Sequence, residues 1–261
     1  GSLVAQYSGG SVAKVAHPPL TPLGSHLTAV DCRSTTWCVA VGETHASALV
    51  VQLRGTTWSI PNTPTPGAGY DTLTSVSCPT TTWCMAVGYA TRANGVPTAI
   101  ALWFHAGKWQ KVTMALAGQA PEPDAVSCPS TSWCEAVGGS NGVAGAAVSQ
   151  FTGGKWVKAT PPTGVPGALV SVDCVATQWC VTVSNNGGGG RFATLEASGA
   201  VRASAAALHS PDTFSQLSCW ARAGCVAVGH DSSRSYGVGS PLADAWTGGA
   251  WVARELPALT Y

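Results

Sequence analysis

Ten cysteines in this chain fall into five pairs, and each pair encloses five residues: Cys32 and Cys38, Cys78 and Cys84, Cys128 and Cys134, Cys174 and Cys180, Cys219 and Cys225. Their starting positions step by 46, 50, 46 and 45 residues, the period of a four-stranded propeller blade rather than of a helical hairpin. The segments around them align as one repeat, from LTAVDCRSTTWCVAVG and LTSVSCPTTTWCMAVG through PDAVSCPSTSWCEAVG and LVSVDCVATQWCVTVS to FSQLSCWARAGCVAVG. Within a repeat the simplest connectivity joins the two cysteines of one copy. A bridge closing so short a loop stabilises by about 2 kcal/mol when unstrained. Five such bridges predict an oxidising compartment, hence a secreted or cell-surface protein. Paired cysteines also bind zinc, but zinc pairs are spaced more narrowly and converge in fours.

The second copy shows the unit. Leu73 to Cys78 reads as a strand, Pro79 to Trp83 as a turn and Cys84 to Tyr89 as the returning strand. Thr98 to Phe104 and Trp109 to Met114 supply the third and fourth strands, across a turn at residues 105–108. That turn recurs as Arg54-Gly55-Thr56-Thr57-Trp58, Gly153-Gly154-Lys155-Trp156 and Gly248-Gly249-Ala250-Trp251. Pro-rich connectors at 61–66 and 161–166 separate the copies, and no helical periodicity of useful length is present. The fold predicted is all-β: a single β-propeller domain over 1–261, with complete blades at 27–61, 73–114, 123–160, 169–204 and 214–256. Residues 4–12 match 148–156, so an N-terminal half-blade is expected over 3–17. It gives six blade positions with one half-filled, or five blades with an extra hairpin.

Charged residues make up 10% of the chain and the formal net charge is +1, which argues against a nucleic-acid surface. No apolar run is long enough to span a bilayer as a helix. The opening Gly1-Ser2 reads as a cloning scar, so the lack of a leader says nothing of compartment, and further domains of a longer parent protein are expected.

The repeat resembles the Asp-box propellers of sialidase-like proteins, whose Ser-x-Asp-x-Gly-x-Thr-Trp box sits in the third-to-fourth strand turn. Gly55-Thr56-Thr57-Trp58 keeps the second half of that box, and the turns before Trp109, Trp156 and Trp251 echo it; the Ser-x-Asp half is missing from all of them. It is also similar to cysteine-paired propeller repeats of secreted actinobacterial proteins. The resemblance implies a secreted propeller. The sialidase set of three arginines with a Tyr/Glu pair has no assignable positions among Arg33, Arg54, Arg92, Arg191, Arg202, Arg222, Arg234 and Arg254.

What all copies share is mostly fold, so candidate function lies where one copy departs. Glu135 stands where the other copies carry Val39, Met85, Val181 and Val226. It is a ligand-binding or catalytic carboxylate, or else a partner of Lys155 or Arg92, or simply exposed. Before the first cysteine stand Ser77, Ser127 and Ser218, but Asp31 and Asp173 in the other two copies. Two central carboxylates could act as general acid and base in glycoside cleavage; alternatively each accepts a backbone N–H at a blade junction. Trp37, Trp83, Trp133 and Trp179 recur and read as packing, whereas the fifth copy has Gly224 there and Trp220 earlier in the loop. Trp220 with Arg222 is a candidate sugar-stacking pair on a loop rim, or a refill of the vacated space. The six histidines show no metal-like spacing, His230-Asp231 with Ser232-Ser233 lacks a triad context, and the glycine run at 185–190 reads as a surface loop. No cofactor or metal is expected.

The function expected is an extracellular binding or adhesion module that takes a glycan or a protein through loops at one mouth of the propeller. The alternatives are a glycoside hydrolase or polysaccharide lyase acting through Asp31, Asp173 and Glu135, and a structural cell-surface spacer.

Overall fold

In a computed structural model of the chain, the residues described are 5–8, 11–14, 24–45, 47–66, 69–116, 121–140, 143–165, 167–185, 190–196, 201–206, 212–231, 240–248 and 250–254. The chain opens on an antiparallel hairpin, β1 (Ala5–Ser8) with β2 (Ser11–Lys14), where the half-blade was expected. Five four-stranded antiparallel sheets follow. The first blade is β3 (His26–Ser34), β4 (Trp37–Glu43), β5 (Ala48–Arg54) and β6 (Thr57–Ser59). The second is β7 (Tyr70–Thr80), β8 (Trp83–Thr91), β9 (Pro97–His105) and β10 (Lys108–Val112). The third is β11 (Pro121–Ser130), β12 (Trp133–Ser140), β13 (Val143–Thr152) and β14 (Lys155–Ala159). The fourth is β15 (Ala168–Ala176), β16 (Trp179–Asn185), β17 (Gly190–Glu196) and β18 (Val201–Ala206). The fifth is β19 (Asp212–Ala221), β20 (Gly224–Asp231), β21 (Ser240–Trp246) and β22 (Trp251–Arg254). This is a β-propeller fold of up-and-down blades, and each blade holds one disulfide between its first two strands, paired as the repeat predicts.

By contact the chain forms two compact units, Gly1–Met114 with the first two blades and Ala115–Tyr261 with the other three. In each unit consecutive blades pack face on face. In the first, Trp37, Val39, Val41 and Val50 meet Leu73, Val76, Leu102, Phe104 and Trp109 of the second blade. In the second, Val137 and Val148 of the third blade meet Leu169, Val172 and Ala193 of the fourth, and Val181, Val183 and Phe192 of the fourth meet Phe214, Leu217 and Trp251 of the fifth. The second strand of a blade lies in the middle of the stack. That is why β4 and β16 are buried at every position but the last, including Thr182 and Ser184 of β16.

The first strand of every blade carries a register shift, between Leu27 and Ala29, Leu73 and Ser75, Pro123 and Ala125, Leu169 and Ser171, and Phe214 and Gln216. The bulge presses a carbonyl onto the second strand. A side chain at Gly42, Gly88, Gly138 or Gly229 would collide with the carbonyl oxygen of His26, Thr72, Glu122 or Thr213 respectively. In four of the five blades the glycine of the second strand gives that clearance, while the fourth carries Ser184 at the same place. The turns between third and fourth strands have a different demand: Ala106 and Gly107 (φ 51° and 78°) and Gly153 and Gly154 (φ 58° and 78°) both form two-residue hairpin turns with positive φ throughout.

Candidate functional site

Register fixes which side chains share a row across each blade. In the first blade the row is Asp31, Val39, Gln52, Ser59; in the second Ser77, Met85, Trp103, Gln110; in the third Ser127, Glu135, Gln150, Val157. The inner end of this row does structural work. Asp31 Oδ2 accepts the Cys78 N–H at 2.7 Å, and Asp173 Oδ2 accepts the Cys219 N–H at 2.7 Å. Ser127 Oγ accepts the Cys174 N–H at 3.0 Å and donates to Asp173 Oδ1 at 3.2 Å. Each of these residues thus satisfies the amide of the first cysteine of the following blade. The other oxygen of Asp31 takes Arg33 at 2.8 Å. Asp31 lies in the first unit and Asp173 in the second.

Glu135 is 1% exposed, so it is not a surface carboxylate. Burial pushes it up to about 8, against the pull of its hydrogen bond with Gln150. Among the described residues its Oε2 has no hydrogen-bond partner. Asp124, beside Glu122 on the same strand, is raised to about 7, by burial first and by that neighbour second.

Trp220 is 70% exposed, and its indole lies over Gly224, whose missing side chain makes room for the ring. Arg222 sits 5.9 Å from the centroid of the Trp179 ring, in cation–π range, and its carbonyl accepts the Trp246 indole N–H at 3.1 Å. Along the same face of the fifth blade Val228 is 43% and Val252 40% exposed, whereas Val181 and Val183 of the fourth blade are covered by the fifth. Trp37, Trp83, Trp133 and Trp179 are all buried. Trp103 stacks on His105 at 4.7 Å. Ser232, Ser233 and residues 186–189 lie outside the described residues.

The concavities of the first unit lie elsewhere, at the outer margin of the contact between its two blades. Strand alternation turns Gln52 and Arg54 to the same face as Val39 and Trp37, toward the second blade. There, with Lys108 and Trp109 of β10 and the connector residues Pro61, Asn62 and Pro64, they line a hollow of about 690 Å³. A second hollow of about 520 Å³ shares Arg54, Phe104 and Gly107 with the first and is walled by Ser34, Thr36, Thr81 and Thr82. Among the described residues Gln52, 3% exposed, has no acceptor for its Nε2; the Trp109 Nε1, 5% exposed, has none either, a trait it shares with Trp58 and Trp156 at the same place in their own blades. A buried N–H without an acceptor costs roughly 1–3 kcal/mol. Here two such donors border one cavity, joined by two exposed cations, Arg54 and Lys108. Among the described residues no carboxylate lines either hollow. Sequence reading missed this set because its members belong to different blades and a connector. The available signal was column-wise: the residue ending the third strand is Arg54 in the first copy but His105, Thr152, Glu196 and Trp246 in the others.

No protein-family model matches the sequence, and no curated protein does. Among solved structures, one described as "YCF48 bound to D1 peptide" aligns with 89% of this chain and 81% of its own, at 14% identity and a TM-score of 0.43. Likeness at that level bears on neither ligand nor assembly. Among the described residues no helix is long and apolar enough to cross a membrane.

Proposed function

We propose that the chain is an extracellular binding module whose ligand is a carbohydrate held in the paired hollows of the first unit. The observation that carries this reading is the buried, acceptorless Nε2 of Gln52 on the wall of a 690 Å³ hollow. A folding chain gains nothing from such an arrangement, whereas a ligand oxygen would complete it. The hydroxyls of Ser34, Thr36, Thr81 and Thr82 extend the polar surface on one side, and the two prolines and Phe104 give it apolar ground on the other. Five disulfides support an extracellular setting. The cleavage reading has less support, because Asp31 and Asp173 are each engaged at a blade junction.

The test is an oligosaccharide array probed with the intact chain and with Gln52→Leu, which keeps the volume and removes the donor. The expected result is retention of at least one glycan by the parent chain and loss of that signal in the variant, with a urea midpoint at or above that of the parent, since the substitution removes an unpaired buried donor. A blank array, or binding indifferent to Gln52→Leu, would overturn the reading.

A further inference from the structure

We infer that the hollow selects an acidic sugar, seating a uronate carboxylate against Gln52, Arg54, Lys108 and Trp109 while neighbouring sugar hydroxyls meet the Ser/Thr wall. The inference rests on the binding reading above and names its ligand class. Five side chains bordering the cavity, Gln52, Arg54, Asn62, Lys108 and Trp109, carry hydrogen-bond donors, and among the described residues no acid lines it to neutralise the two cations. Among the described residues neither Arg54 nor Lys108 forms an ion pair, although the chain is nearly neutral overall. The two indole and amide N–H groups are fixed by burial, and fixed donors beside exposed cations favour an anion over a neutral hydroxyl. Arg54 ends β5 opposite Trp37 in the strand register, so the backbone of its guanidinium stem is held while the head reaches solvent. A planar carboxylate matches the planar guanidinium fork, which a hydroxyl cannot engage on both oxygens.

The second hollow determines what carries the carboxylate. Ser34 and Thr36 hydroxyls lie 3.2 Å apart, and both residues are exposed, so each oxygen keeps bonding capacity for a ligand. Thr81 and Thr82 are exposed on the facing turn. Because Arg54 lines both hollows, a ligand with its charge in the first places its next hydroxyl-bearing ring over the second. An oligosaccharide of uronic acids has that alternation of one carboxylate and several hydroxyls per ring.

The experiment is calorimetric titration of the intact, oxidised chain with tetramers of galacturonate, mannuronate and a glucuronate-containing glycan, each beside its carboxyl-reduced neutral counterpart, and with tetraglutamate. At least one uronate should bind tenfold or more tighter than its reduced counterpart. That preference should fall to near unity in Arg54→Ala/Lys108→Ala, and raising salt from 50 to 200 mM should weaken the acid but not the neutral sugar. Gln52→Leu should weaken the acid further than the neutral form. Equal binding of acid and reduced forms would overturn the acidic-sugar inference while leaving carbohydrate binding in place. Tighter binding of tetraglutamate than of any uronate would overturn it in favour of an acidic peptide. Binding of nothing here, together with a blank array, would remove both readings at once.

Discussion

Asp173 accepts the backbone amide of Cys219 across the junction between the fourth and fifth blades, at 2.7 Å. The same bond joins Asp31 to Cys78 in the first unit, and Ser127 makes it to Cys174 with a hydroxyl. Aspartate and serine thus alternate at one position because both present an oxygen of similar reach. A charged acceptor makes the stronger bond. Asp173→Ala should destabilise the oxidised chain by about 2 kcal/mol, and Asp173→Ser by less than half as much, in urea unfolding. Equal losses for the two variants would mean that the amide bond is not what Asp173 supplies.

The second-strand glycine makes a sharper demand. At Gly88 a methyl group would meet the Thr72 carbonyl oxygen, and both strands are fixed by their ladder. Gly88→Ala should cost at least about 2 kcal/mol. Gly55→Ala has open space around its Cβ and should cost only about 1 kcal/mol, from its φ of 63°. Thermal unfolding of the pair checks the ordering.

Much of this architecture was legible because it repeats. Cysteine spacing marked the disulfides and the blade period, and the strands of the second copy fall within one to three residues of their observed ends. The hollow was not legible. Gln52 looks like an ordinary polar residue in a strand, and only the packing of a second blade and a proline connector against it shows that its amide has no acceptor. Glu135 was visible as a departure, but its burial was not, since sequence alone does not say which face of a strand another blade will cover.

The fifth blade's exchange of tryptophan positions is a local repair. Trp220 lies over the space where a side chain at Gly224 would be, so the ring is held on one side and free on the other. With 70% of it exposed, Trp220→Ser should lower stability by less than about 1 kcal/mol. Gly224→Trp alone should cost more, because the new ring collides with Trp220, and the double change Trp220→Ser/Gly224→Trp should recover part of that loss. Additive effects in this cycle would deny the contact.

Glu135 makes the stability of the chain fall as pH rises. Its carboxyl is near 8 in the folded state against 4.5 when unfolded, so between those values the folded chain holds a proton that the unfolded chain has released. The stabilising share is complete below about 4.5 and disappears as pH passes 8. Inside that window the slope approaches about 1.4 kcal/mol per pH unit. Asp124, raised to about 7, adds a loss of the same sign. Gln150 is in place to bond either an acid or an amide, so Glu135→Gln should fold and should be more stable than the parent at pH 8, with the two converging near pH 4.5. Urea midpoints across pH 4.5–8.5 measure this directly. A parent chain whose stability rose over that range in parallel with Glu135→Gln would show that the carboxyl is ionised in the folded blade, and that water or a cation reaches the Oε2 oxygen.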